Sequence, residues 1–132
     1  MFVRFTLGKN ERLYSKKKIS FLFKEGDSFF RYPFKVVYAK DITKHSSPVQ
    51  LLVSVSKRNF RKAVDRNRIK RLIREAYRNN KYLLYEGLSN REGSLLLGVI
   101  YNAKTIMEYK EIERKIILIL QHLIKGDAET TG

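Results

Sequence analysis

Lys62-Ala63-Val64-Asp65-Arg66-Asn67-Arg68-Ile69-Lys70-Arg71-Leu72-Ile73-Arg74-Glu75-Ala76-Tyr77-Arg78 is the stretch on which the reading of this chain turns. At about 100° per residue, Ile69, Leu72, Ile73, Ala76 and Tyr77 fall on one arc of a helix. Asn67, Lys70, Arg71, Arg74 and Arg78 fall on the opposite arc. An apolar arc of that width docks on a sheet or another helix. The other arc is a ladder of cations. The helix is expected to begin between Lys62 and Asp65 and to end near Asn80.

The surrounding segment sharpens the charge. Lys57, Arg58, Arg61, Lys62, Arg66, Arg68, Lys70, Arg71, Arg74 and Arg78 face only Asp65 and Glu75, a surplus of eight out of the chain's net +15. A solvated helix face mixes signs for i,i+4 pairing, and this one does not. Unrelieved like charge destabilises a compact chain, so a polyanionic partner is expected. Arginine dominates the segment, and its planar fork grips phosphate with two parallel hydrogen bonds where lysine acts as a point charge.

Working outward, Ser15 and Gly26 bracket a helix with Ile19, Leu22 and Phe23 on one face and Lys16, Lys17, Lys18 and Lys24 around the rest. Phe34 to Ala39 alternates as a strand, with Phe34, Val36 and Tyr38 on one side. Val49 to Ser56 and Ser94 to Tyr101 carry apolar centres that read as buried strands. Between the last two strands, a loop holds Gly87, Asn90 and Gly93. Thr105 to Lys125 reads as the final helix, with Ile106, Tyr109, Ile112, Ile116, Leu120 and Leu123 as its core stripe. An extra short strand is expected near Phe2–Leu7 or Phe29–Arg31. The order α-β-β-(β)-α-β-α predicts an α+β fold, a two-layer α-β sandwich with a small mixed sheet. Residues 1–125 are expected to form a single domain that binds a polyanion, RNA foremost, and Gly126 to Gly132 reads as a disordered tail.

The chain's 132 residues, 43% of them hydrophobic, suffice for one core. Cysteine is absent, which excludes disulfides, thiolate metal sites and a cysteine nucleophile. No apolar run reaches the roughly 18 residues of a membrane span, and Met1 to Leu7 does not read as a secretory signal. A cytoplasmic protein with no membrane partner is expected.

Seven aromatic residues, Phe21, Phe23, Phe29, Phe30, Tyr32, Phe34 and Tyr38, lie within eighteen positions. Most read as core. Phe23, Phe34 and Tyr38 are placed to line a shallow groove on which unpaired RNA bases could stack. Nothing points to chemistry by the protein itself. A nuclease needs an acid–base pair or metal-holding carboxylates, whereas His45 and His122 share no motif. Glu108, Glu111 and Glu113 stand beside Lys110, Arg114 and Lys115 as helix-surface pairs. No catalytic residue and no metal ligand is expected. A ribosomal-type structural RNA-binding protein and a DNA-binding module both remain open on these features.

The run Arg66-Asn67-Arg68 followed by Ile69-Lys70-Arg71 and Arg74-Glu75-Ala76-Tyr77 resembles the signature of the protein subunit of bacterial ribonuclease P. Val53-Ser54-Val55-Ser56-Lys57-Arg58 resembles that family's strand and its basic end, and Lys18 to Gly26 its first helix. The resemblance covers roughly residues 10 to 125. It implies a protein that assists a catalytic RNA in removing the 5′ leader of precursor tRNA, with magnesium acting alongside the RNA and no cofactor on protein side chains. It also implies a left-handed β-α-β crossover and a monomer bound to one RNA. By position, Arg66, Asn67, Arg68, Lys70, Arg71 and Arg74 match the RNA-docking motif, which Arg61, Lys62 and Arg78 extend. Phe23, Phe34, Ser54, Ser56, Lys57 and Arg58 match a leader-binding cleft, to which Ile19 and Tyr38 are added. Two positions depart from the pattern: Ile19 stands where an aromatic is common, and the gapless match to a strand aromatic falls on Val37 rather than Tyr38.

Overall fold

A computed structural model describes residues 7–42, 47–88 and 93–130, with side chains to residue 125 in the last stretch. After a single 3-10 turn at Lys9–Glu11, the elements are α1 (Lys16–Glu25), β1 (Asp27–Arg31), β2 (Phe34–Asp41), β3 (Val49–Val55), α2 (Ala63–Gly87), β4 (Ser94–Tyr101) and α3 (Tyr109–Thr130). The optional strand is therefore β1. The alternative at Phe2–Leu7 lies outside the described residues except for Leu7.

The strands lie in the order β1-β2-β4-β3. β1 and β2 form an antiparallel hairpin, β2 and β4 are antiparallel, and β3 and β4 run parallel with α2 as their connection. The main core fills the space between the sheet and α2 and α3. Phe34 and Val36, Val49 to Val55 at alternate positions, and Leu97, Val99 and Tyr101 meet Ile69, Ile73, Ala76, Tyr77, Ile112, Ile116 and Leu120 there. This is the α+β sandwich that the alternation of β2 requires. Across the sheet, α1 forms a smaller layer in which Leu22 packs with Leu13, Val37, Ala39 and Leu96.

Local chemistry sets the ends of α1. The Ser15 hydroxyl accepts from the Lys18 N–H, one of the four donors a helix start leaves orphaned. Gly26 ends the helix in extended backbone, φ −73° and ψ 157°. A Cβ there would lie 2.3 Å from the Leu22 carbonyl oxygen and 2.9 Å from that of Tyr38. Close approach, not a left-handed turn, requires glycine.

Three helix boundaries differ from expectation. α2 runs past Asn80 to Gly87, because Lys81, Leu84 and then Leu88 continue its buried side. Asn79 and Asn80 do not end the helix. Instead, α3 engages them: Asn79 donates to the Tyr109 hydroxyl at 3.1 Å and Asn80 to Glu113 at 3.0 Å. Gly87 belongs to the helix, with Ile124 occupying the space near its absent Cβ. α3 begins at Tyr109, four residues late. The buried Tyr101 ring holds the intervening chain, its hydroxyl donating to the Thr105 carbonyl at 2.7 Å and accepting from the Met107 N–H at 3.1 Å. Ile119 joins the predicted stripe as a fully buried residue. The backbone of α3 continues into the stretch read as a tail, as far as Thr130.

Candidate nucleic-acid interface

α2 presents the two arcs that its sequence requires. Ile69, Ile73, Ala76 and Tyr77 are buried, Leu72 is half-buried, and Asn67, Arg68 and Arg71 are exposed. Lys70, Arg74 and Arg78 flank the exposed row, each half-buried. Among the described residues no carboxylate pairs with Arg68, Lys70, Arg71 or Arg74. Glu75 approaches Arg78 at 3.7 Å, a geometry that contributes little in water. Burial first, and then the Arg12 guanidinium, push the Arg74 pKa below the ordinary arginine value. Arg12, which sequence reasoning missed, thus belongs to the same electrostatic surface.

Arg66 departs from its expected role. Its Nη1 donates to the carbonyls of Phe60 and Arg61, both at 2.8 Å. The side chain therefore ties the β3–α2 connection to the first turn of the helix, while Phe60 anchors that connection in the core. Lys57, Arg58, Arg61 and Lys62 are left exposed along it. The basic surface runs continuously from the end of β3 onto α2.

The aromatic groove requires a correction. Phe34 is 0% exposed in the core under α2 and α3. Tyr38 lies on that same face, its ring 5.9 Å from Phe29, which in turn stacks on His122 at 3.8 Å. Strand alternation puts Phe34 and Tyr38 across the sheet from α1 and Phe23. They cannot line a groove with it. Val37 occupies the α1 face instead, so the register has not slipped and the strand aromatic is absent from that face. His122 is thereby a packing residue, and His45 lies outside the described residues.

A different strip is open on the α1 side. The pairings Phe30↔Lys35, Lys35↔Ile100 and Ser54↔Ile100 put these four residues in one row across the sheet. The next row holds Ser28, Val37, Gly98 and Leu52, and Leu22 of α1 sits over it, beside Gly98. The helix start is drawn toward Asp41 by a 2.9 Å ion pair from Lys18. Phe30 and Lys35 are consequently exposed, Ile100 and Ser54 are half-buried, and Phe23 at the α1 edge is 49% exposed. Ile19 is half-buried against the α1-side core. Ser56 is half-buried where β3 leads into Lys57 and Arg58. Phe30 and Lys35 could have been found from strand alternation once β1 and β2 were paired.

A buried polar cluster fixes the N-terminal segment to α2. Glu11 accepts from Lys81 Nζ, from the Tyr85 hydroxyl at 2.7 Å and from the Gly8 N–H at 2.7 Å. Burial by itself would raise the Glu11 pKa, but these donors outweigh it and hold the carboxyl below the usual glutamate value. Burial pushes the hydroxyls of Tyr77 and Tyr85 well up. No group of three or more metal-ligating side chains occurs among the described residues. None of their helices is long and apolar enough to cross a membrane.

Known proteins resemble this chain in sequence and overall fold. A family model described as Ribonuclease P matches residues 7–123. The ribonuclease P protein component of Porphyromonas gingivalis is 41% identical over 110 residues, which cover 83% of this chain and 80% of the relative. That of Chlorobium phaeobacteroides is 35% identical over 128 residues, covering 89% and 88%. The solved ribonuclease P protein of Thermotoga maritima superposes with a TM-score of 0.67 at 25% identity, covering 85% of this chain and 96% of that one.

Proposed function

The chain belongs to the family of ribonuclease P protein components, and from that membership we propose that it docks on the catalytic RNA through the outer face of α2 and holds the precursor-tRNA leader beside α1. As a member it is a subunit of a tRNA-processing endoribonuclease, with the ribonuclease P RNA as its partner. The observation that carries the docking half is the unneutralised row of Arg68, Lys70 and Arg71 on a helix whose opposite face is locked in the core. Asn67, Arg74 and Arg78 extend that row along the helix, and Arg61 and Lys62 extend it toward β3. Each phosphate these cations neutralise releases counterions, so affinity falls steeply with salt.

The leader half rests on the open row Phe30, Lys35, Ile100 and Ser54, bordered by Phe23 and Ile19 and leading to Ser56, Lys57 and Arg58. An exposed aromatic beside cations suits an unpaired strand, because every base has a face to stack and every linkage a phosphate. RNA supplies the cleaving groups, and magnesium acts there on RNA phosphates. The protein contributes position and charge. Mature tRNA lacks the leader, so the complex binds precursor more tightly than product. The test compares leader-bearing and leaderless tRNA on the reconstituted complex. Phe23→Ala and Lys35→Ala are expected to reduce the difference in affinity without changing the binding of leaderless tRNA. Equal binding of the two tRNAs by the wild-type complex contradicts the reading.

A further inference from the structure

The cationic face of α2 does not stop at the helix. Leu13 donates its N–H to the Leu51 carbonyl at 2.9 Å, and Arg12 forms a parallel bridge with Leu51. The N-terminal segment thus runs along the outer edge of β3. Leu13 points into the α1-side core, so alternation directs Arg12 and Tyr14 toward the α2 side. Both are exposed there, Tyr14 to 60%, and both lie within electrostatic reach of Arg74. The buried Glu11–Lys81 pair anchors the segment one residue away.

The Arg12 and Arg74 guanidiniums therefore lie on the same side of the sheet, near enough for their charges to oppose each other, and among the described residues no carboxylate pairs with either. Beyond Tyr14, Lys16 and Lys17 are exposed in the first turn of α1, which contains no acid. Cations there oppose the helix dipole. Both arrangements cost the free protein stability and are relieved by phosphate.

We propose that Arg12, Tyr14 and Arg74 form a second RNA-binding point, with a phosphate between the two guanidiniums and an unpaired base on the Tyr14 ring. The occupant is a single-stranded stretch of the same RNA that docks on α2, continuing past Arg74 toward Lys16 and Lys17. The inference rests on the docking of that RNA along α2. It adds the N-terminal edge of the sheet as a binding element and Tyr14 as a stacking platform.

The test titrates the full-length protein with ribonuclease P RNA alone, across a range of salt, and records thermal melting of each free variant. Arg12→Gln should weaken binding several-fold and flatten the salt dependence by about 0.7–0.9 for each phosphate no longer neutralised, while the melting temperature stays level or rises as repulsion from Arg74 is removed. Tyr14→Ala should weaken binding about fivefold or more with an unchanged salt slope, and Tyr14→Phe should restore it. Arg68→Ala/Arg71→Ala is the reference for the helix. If that variant weakens binding and Arg12→Gln does not, the inference fails and the docking on α2 stands. If neither weakens it, both fail. A weaker affinity that comes only with a lowered melting temperature assigns Arg12 a structural role and overturns the proposal. A weakening seen only when precursor tRNA is present overturns the chosen occupant.

Discussion

Phe30 and Phe34 are four residues apart on paired strands, and their environments are opposite. Phe34 is fully enclosed and packs edge-on against Tyr101 at 5.6 Å, so Phe34→Ala removes core. The expected cost is about 3–5 kcal/mol, read by urea denaturation, with leader discrimination intact in the fraction that remains folded. Phe30 is 59% exposed. Phe30→Ala should shift stability by no more than about 0.5 kcal/mol yet lower the preference for leader-bearing tRNA by about 1–3 kcal/mol. A variant pair with the reverse pattern would restore Phe34 to the groove. Arg66 calls for the same separation of roles. Arg66→Ala removes two charge-assisted hydrogen bonds to carbonyls, about 1–3 kcal/mol after allowing for partial exposure. Its effect on RNA affinity is interpretable only beside its melting temperature.

At the scale of elements, the clearest prediction concerns the joint between the N-terminal turn and α2. The Glu11 pKa in the folded protein lies below the ordinary value of 4.5, so its contribution is fully present above that pH and disappears as pH falls through the folded value. Denaturation midpoints should drop as pH falls below about 4.5 and through the lower folded value, and Glu11→Gln should flatten that part of the profile. At neutral pH the same substitution removes the carboxylate that pairs with Lys81, whose side chain is 6% exposed, and should cost about 3–5 kcal/mol. Glu11→Gln/Lys81→Met should recover much of it. The sequence could not disclose this joint, since Glu11 and Lys81 are separated by 70 positions and each looks like ordinary surface charge. It did disclose the elements whose periodicity is strong: Ser94–Tyr101 has the expected bounds, and the two arcs of α2 fall where 100° spacing puts them. It misplaced the end of α2 and the start of α3 because both depend on tertiary partners, α3 for Asn79 and Asn80 and the Tyr101 hydroxyl for residues 105–107. The groove was misread for a related reason. Alternation grouped Phe34, Val36 and Tyr38 correctly, but which face meets α1 is decided by the packing of Leu22 on Val37 and Leu96.

At the scale of the whole molecule, net +15 on 132 residues makes the free protein and its complex respond to salt with opposite signs. Screening relieves self-repulsion, so raising salt from about 0.05 to 0.3 M should raise the melting temperature of the free protein. The same change should weaken RNA binding by orders of magnitude. The central claim is that the outer face of α2 is the surface laid against catalytic RNA. Its most direct test is cleavage of precursor tRNA by ribonuclease P RNA at low magnesium, with the wild-type protein and with Arg68→Ala/Lys70→Ala/Arg71→Ala at matched folded concentration. The wild type should stimulate cleavage, and the variant, melting no lower than wild type, should fail to do so until its concentration is raised many-fold. Equal stimulation at equal concentration would contradict the account.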